Sequence, residues 1–229
     1  SAASDVYKRQ EQKLYYACVQ AAVADLGDEQ GKLQILAALT RLRQVCCDPG
    51  LCFENYEGPT SKLDACVELC EAMAENGHQI LLFSQFTSML DRLRERLDAL
   101  HISNFTLQGS TPKEKRAAMV KAFNAGSASV FLISLKAGGM GLNLTAADIV
   151  IHYDPWWNQA AQDQATDRVH RIGQQAHVQV YKLIAKDTIE ERILELQNRK
   201  LALLDTISGC EEAGILNMSS EELLSLLKS

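Results

Sequence analysis

Five short apolar runs, at residues 79–83, 104–107, 129–134, 148–153 and 178–184, alternate with segments near 86–100, 112–125 and 158–171 whose apolar residues recur at helical spacing. Strand, helix and strand in that order close as parallel strands joined by right-handed crossovers, so the pattern predicts an α/β fold: an open parallel sheet flanked by helices. In such sheets ligands sit beyond the carboxyl ends of the strands. Ser84, Gly109, Ser110, the stretch 134–141 and the stretch 154–158 emerge there, on one edge.

Helices are expected on either side of the sheet. Residues 11–59 read as a helical lead-in, with Leu33, Leu36, Leu39 and Leu42 at apolar spacing before the stop Asp48-Pro49-Gly50. Ser61 is placed to cap a helix that ends near Asn76-Gly77, and Thr111-Pro112 reads as Ncap and N1 of another. The lobe then covers 60–187, and 188–229 forms a helical brace. In that brace Ile189, Ile193, Leu196 and Leu203 make the apolar stripe, Glu190, Glu191 and Arg192 lie outside it, and a capping box opens at Ser219. Residues 1–10 resemble the translation of a sequencing-library adapter and are set apart from fold reasoning. The remainder is expected to be the C-terminal portion of a longer protein.

With 47% hydrophobic residues the 229-residue chain can build a sizeable core. Its formal charge of −6 excludes a basic field over the whole domain, so any nucleic-acid contact must be local. No apolar run approaches the roughly 18 residues needed to span a bilayer, and no signal peptide opens the chain. The seven cysteines form no Cys-x-x-Cys pair, and Cys66 and Cys70 share a helical stripe with Leu63, Val67 and Met73. Buried free thiols, no metal site and a soluble protein in a reducing compartment are expected.

The run from Gln164 to Gln174 carries the chemistry. A helix there puts Gln164, Arg168 and Arg171 on one face, where two guanidiniums one turn apart can neutralise a transferring phosphoryl group. Asp167 four residues before Arg171 offers the plainer alternative of a solvated ion pair. Upstream, Gly138, Gly139 and Gly141 allow a loop to approach a phosphate closely, or simply a tight strand-to-helix turn. Trp156 and Trp157 point opposite ways in an extended segment, which puts one ring in a core.

Taken together, the block 130–145, the block 148–158 ending Asp154-Pro-Trp-Trp-Asn158, and Asp167-Arg-Val-His-Arg-Ile-Gly-Gln174 resemble motifs V and VI of the Swi/Snf-like ATPases of helicase superfamily II. Three stretches before them are similar to other family blocks: Ile80-Leu-Leu-Phe-Ser-Gln-Phe86, Leu107-Gln-Gly-Ser-Thr111 with Arg116, and Leu42-Arg-Gln-Val-Cys-Cys-Asp-Pro49. The resemblance implies a RecA-like helicase C-terminal lobe whose Arg168, Arg171 and Gln164 act on ATP, with Gly139, Gly141 and Asn143 beside the nucleotide. It implies contacts to double-stranded DNA from Ser84, Gly109, Ser110, Ser134, Lys136, Trp156 and Asn158. Gln108, Gln159 and Gln162 depart from the family pattern and put local DNA or lobe contacts in question.

The chain has no Gly-x-x-x-x-Gly-Lys-Ser/Thr loop and no Asp-Glu pair of the magnesium-holding kind. By resemblance those parts, with Mg2+, belong to an N-terminal RecA-like lobe that shares the ATP cleft. The expected protein is a DNA-dependent ATPase and duplex translocase, bacterial, cytoplasmic and nucleoid-associated, of which this chain alone is inactive. The alternative is a non-catalytic DNA-binding or regulatory module that keeps the fold.

Overall fold

In a computed structural model of the chain, residues 2–5, 9–26, 31–138, 142–157, 178–204 and 218–228 are described. Strands β2 (Ile80–Ser84), β4 (Val130–Ser134) and β5 (Ile149–His152) are buried along their whole length. That is why they read as continuous apolar runs rather than as alternating ones: a parallel strand covered on both faces has no solvent side. β3 (Asn104–Leu107) and β6 (Gln179–Ile184) are only partly buried. The strand order is β1-β6-β5-β2-β4-β3, with β1 formed by Ala2–Asp5, residues that the sequence reading sets aside. β2 pairs in parallel with β4 and β5, β3 with β4, and β5 with β6. The chain leaves β2 towards β3 and leaves β5 towards β6, so the two connections diverge at the adjacent strands β2 and β5.

Helices α1 (Arg9–Leu26), α2 (Lys32–Cys47), α3 (Ser61–Glu75), α4 (Thr87–Ala99) and α5 (Lys113–Asn124) precede or flank these strands, and the single turn α6 (Leu135–Gly138) follows β4. The five expected strands and the helices expected at 86–100 and 112–125 agree with the observed ones to within one or two residues; the lead-in is two helices, β1 and α6 are not among the expected elements, and the helix expected near 158–171 lies outside the described residues. The helix from 61 ends as expected at Gly77, whose φ of +79° lets the His78 N–H reach back to the Met73 carbonyl. Cys66 and Cys70 are buried on α3 beside Leu63 and Val67.

The described residues divide into two units, one holding 63–154 with the strand residues 179–183, the other holding 9–62, 155–157 and 184–228. In the second unit α1, α2, α7 (Ile189–Leu204) and α8 (Ser220–Lys228) share one core around Tyr15, Leu39, Ile189, Ile193 and Leu223. The lead-in and the brace therefore bury their apolar faces against each other.

Three expectations need correction here. The buried stripe of α2 is Ile35, Leu39, Leu42 and Cys46, whereas Leu33 is 82% exposed, because a strict three-residue spacing drifts off a 3.6-residue helix face. Glu190 is fully buried rather than outside the stripe: its carboxylate meets Lys62 Nζ at 2.6 Å and accepts the Ala185 N–H at 2.8 Å. Ser61 uses its hydroxyl to donate to the buried Glu11 carboxylate at 2.5 Å, and its N–H donates to the same group at 2.9 Å, so Glu11 supplies the acceptor for the start of α3. At α8 the capping box forms as read, with Ser219 N–H donating to Glu222 at 2.7 Å and Glu222 N–H to Ser219 Oγ at 3.2 Å. Among the described residues no helix is long and apolar enough to cross a membrane.

Candidate nucleic-acid interface

β2, β3 and β4 end side by side, and their register sets Ser84 opposite Ser134. Ser84 is fully buried; its hydroxyl donates to Asp154 at 2.5 Å and accepts the Phe86 N–H at 3.2 Å. Asp154, buried as well, takes the Gln85 N–H at 3.2 and 3.4 Å. These bonds commit Ser84 to holding the loop after β2 rather than to reaching a ligand. Asp154 is the residue that sequence reasoning missed: the motif drew attention to its position, but nothing local could reveal a partner 70 residues away.

The turn after β3 is tied in a similar way. Gln108 N–H donates to Thr111 Oγ1 at 3.1 Å, and Thr111 N–H returns to the Gln108 carbonyl at 3.0 Å. Thr111 is therefore not the Ncap of α5: its hydroxyl closes the turn, Pro112 holds the cap position, and no side chain caps the helix. From α5, Arg116 donates through Nε to the Thr111 carbonyl at 2.6 Å and through Nη2 to the Gly109 carbonyl at 2.7 Å. Gln108 donates its amide to Asp91 at 3.4 Å.

Between these loops lies a cleft of about 380 Å³ lined by Gln85, Thr87, Gln108, Gly109, Ser110 and Ser134. Ser134 is 2% exposed at its base, and its hydroxyl accepts the Ala137 N–H at 3.3 Å. The rim differs from the base. Among the described residues nothing accepts from the side chains of Gln85, Thr87 or Ser110, nor from the N–H groups of Gly109 and Ser110. α4 starts at Thr87 without a side-chain cap, so its first-turn N–H groups add partial positive charge to the same rim. A Cβ added at Gly109 meets nothing within 4 Å, which leaves that side of the turn open to an approaching group.

The block after Asp154 packs in the helical unit. Arg43, buried on α2, donates to the Pro155 carbonyl at 2.5 Å and lies 5.1 Å from the Trp157 ring centroid. Gln197 of α7 donates its amide to the Trp156 carbonyl. Both rings are half-buried, and Trp157 is the one that packs against the helical core. Lys136 lies on α6, and Asn143 is exposed with its carbonyl bonded to Asn124 Nδ2 at 2.8 Å. Gly139, Gly141, Asn158, Gln164, Arg168 and Arg171 lie outside the described residues.

The profile of the helicase conserved C-terminal domain matches residues 61–173. A Mycoplasma pneumoniae protein named as an uncharacterized ATP-dependent helicase is 38% identical over 223 residues, 95% of this chain and 21% of that protein. The chain-wide structural match to the C-terminal domain of the Sulfolobus solfataricus SWI2/SNF2 ATPase has a TM-score of 0.78 at 28% identity and covers 99% of this chain and 97% of that one. The chain belongs to the Swi/Snf-like ATP-dependent helicases, as their C-terminal lobe. The ISWI chromatin-remodeling complex ATPase ISW1 of Saccharomyces cerevisiae is 34% identical over 87% of the lobe and 19% of that protein. The Sulfolobus solfataricus SWI2/SNF2 ATPase core in complex with dsDNA matches with a TM-score of 0.79 at 30% identity, over 99% of the lobe and 49% of that chain. The lobe spans about a fifth of the length of the curated relatives it matches.

Proposed function

We propose that this lobe serves a Swi/Snf-like ATPase that couples ATP hydrolysis to movement along double-stranded DNA, with the cleft at the ends of β2, β3 and β4 gripping the phosphate backbone. The observation that carries the reading is the row of uncommitted donors at Gln85, Thr87, Gly109 and Ser110 beside the uncapped start of α4. Neutral N–H and hydroxyl donors at a helix start suit a phosphate oxygen and carry no base information. They also suit a chain of formal charge −6, whose grip on DNA must be local. A solved relative is described as bound to dsDNA, which supports the same partner.

Within this reading Ser134 and Lys136 approach one DNA strand, Lys136 as a point charge, while Trp156 and Asn158 face the groove. Gln164, Arg168 and Arg171 reach ATP from this side of a cleft shared with an N-terminal RecA-like lobe, and Gly139, Gly141 and Asn143 lie beside the nucleotide. ATP supplies the phosphoryl group whose transfer releases the free energy; the two guanidiniums neutralise charge on its oxygens. Among the described residues no group of three His, Cys, Asp or Glu side chains could hold a metal ion. A DNA-acting bacterial ATPase of this kind works in the cytoplasm, at the nucleoid.

The test is duplex binding by the 229-residue chain across a salt series. Weak binding that falls steeply with salt and is lowered further by Gly109→Ala is expected, since the added methyl strains nothing in the fold but stands at the cleft. Binding indifferent to salt or to that methyl overturns the assignment of the cleft.

A further inference from the structure

Arg116 is an arginine that bonds to its own chain beside a cleft of unused donors. Its Nε and Nη2 take the carbonyls of Thr111 and Gly109 at 2.6 and 2.7 Å, so a planar fork spans two successive features of one turn. The peptide bonds of the turn are trans, and in a trans peptide the C=O and the following N–H point in opposite directions. Holding the Gly109 carbonyl therefore aims the Ser110 N–H away from Arg116. The Gln108 carbonyl, held by the Thr111 N–H, aims the Gly109 N–H in the same manner. Neither of these N–H groups has an acceptor among the described residues, and both residues line the cleft.

We infer that Arg116 is a positioning residue for phosphate binding: by holding the Gly109 and Thr111 carbonyls it fixes the 108–111 turn and aims the Ser110 N–H at the cleft, beside the Gly109 N–H that the Thr111–Gln108 bond sets, so that the two form an anion nest. The nest is neutral, so the guanidinium acts through the turn it orders and not as the phosphate's counter-charge. This inference rests on the proposed DNA-binding function and adds the group that orients the contact. A lysine at 116 keeps the charge but offers one ammonium where two carbonyls must be held in a plane.

The experiment measures duplex binding of the 229-residue chain, as wild type, Arg116→Lys and Arg116→Ala, over a salt series, with the backbone amide signals of Gly109 and Ser110 followed by NMR as duplex is added. Both variants are expected to bind about tenfold more weakly. The slope of log K against log salt stays at its wild-type value, and the Ser110 amide, which shifts on DNA addition in the wild type, stays still in both. A slope reduced by about one, with rescue by lysine, means direct phosphate contact by Arg116 and overturns the inference. So does wild-type affinity in both variants. A fall in affinity that tracks a lowered thermal midpoint, with the Ser110 amide still responding to DNA, marks a purely structural arginine and overturns it too. Absence of duplex binding in the wild type instead overturns the DNA-binding reading itself.

Discussion

The Ser84 hydroxyl donates to Asp154 at 2.5 Å, bridging the ends of β2 and the segment after β5, with both side chains buried. Asp154 also receives the Gln85 N–H, so one carboxylate sets the path of the loop that forms one wall of the cleft. Replacing Asp154 by alanine strands the buried Ser84 hydroxyl and the partly buried Gln85 N–H. The expected cost is about 2–4 kcal/mol in urea-induced unfolding, against about 1–2 kcal/mol for Ser84→Ala, which removes one donor to the carboxylate and the acceptor of the Phe86 N–H but leaves Gln85 bonded to Asp154. Equal effects of the two substitutions would show that the carboxylate does not organise the loop.

Lys62 and Glu190 form an ion pair with side chains 2% and 0% exposed. Removing one partner leaves a buried charge without its counter-ion, so Lys62→Met or Glu190→Leu alone should destabilise the protein by about 3–5 kcal/mol. The double variant should recover much of that loss, although the Ala185 N–H also loses its acceptor. A double-mutant cycle on unfolding free energies checks this; additive losses would mean that the pair contributes nothing as a pair.

His152 stacks on Phe83, its register partner on β2, with ring centroids 5.5 Å apart. Burial first, and Lys182 second, lower its imidazole pKa from 6.5 to about 3. The unfolded chain takes up a proton below pH 6.5 that the folded chain refuses until about pH 3. Its contribution to stability is thus complete above pH 6.5 and declines as the pH falls through that window, by up to about 1.4 kcal/mol per pH unit. Unfolding free energies at pH 7 and pH 5 should differ by about 2 kcal/mol more in the wild type than in His152→Leu. An identical pH response in the two proteins would refute the buried neutral imidazole.

Arg168→Ala and Arg171→Ala, made in a two-lobed ATPase that carries this lobe, should each lower ATP turnover about a hundredfold or more while nucleotide affinity changes far less. Lysine should rescue poorly, since an ammonium cannot reproduce the planar fork. If the pair merely decorates a solvated helix with Asp167, turnover stays near wild type and stability falls by less than about 1 kcal/mol. Steady-state ATPase rates with saturating duplex, beside a nucleotide titration, separate the two.

The sequence alone determined the order of the five strands from Ile80 to Ile184 and of the helices expected at 86–100 and 112–125, because each signal is local; β1, α6 and the split of the lead-in into two helices were not legible in it. Ile80–Ser84, Val130–Ser134 and Ile149–His152 are continuous apolar runs bounded by turn residues, and a run of that length has one stable use, as a strand covered on both faces. Ser219 and Glu222 announced their capping box at three-residue spacing and formed it. The motif blocks likewise placed Gly109, Ser110 and Ser134 at one edge of the sheet, and the cleft brings them together.

Tertiary structure decided which polar groups are used up and which are left for a ligand. Ser84 and Ser110 are the same residue type on the same edge, yet Ser84 is committed to an aspartate 70 positions away and Ser110 is bonded to nothing among the described residues. Glu190 follows an exposed pattern on its helix, yet it is buried because Lys62 reaches it from 128 positions away. Arg116 and Arg43 each carry a charge that invites a functional reading, and each is held by backbone carbonyls of a distant or folded-back segment. Periodicity reports the face of an element; a hydrogen-bond partner is set by packing between elements, where desolvation makes an unpaired buried polar group costly.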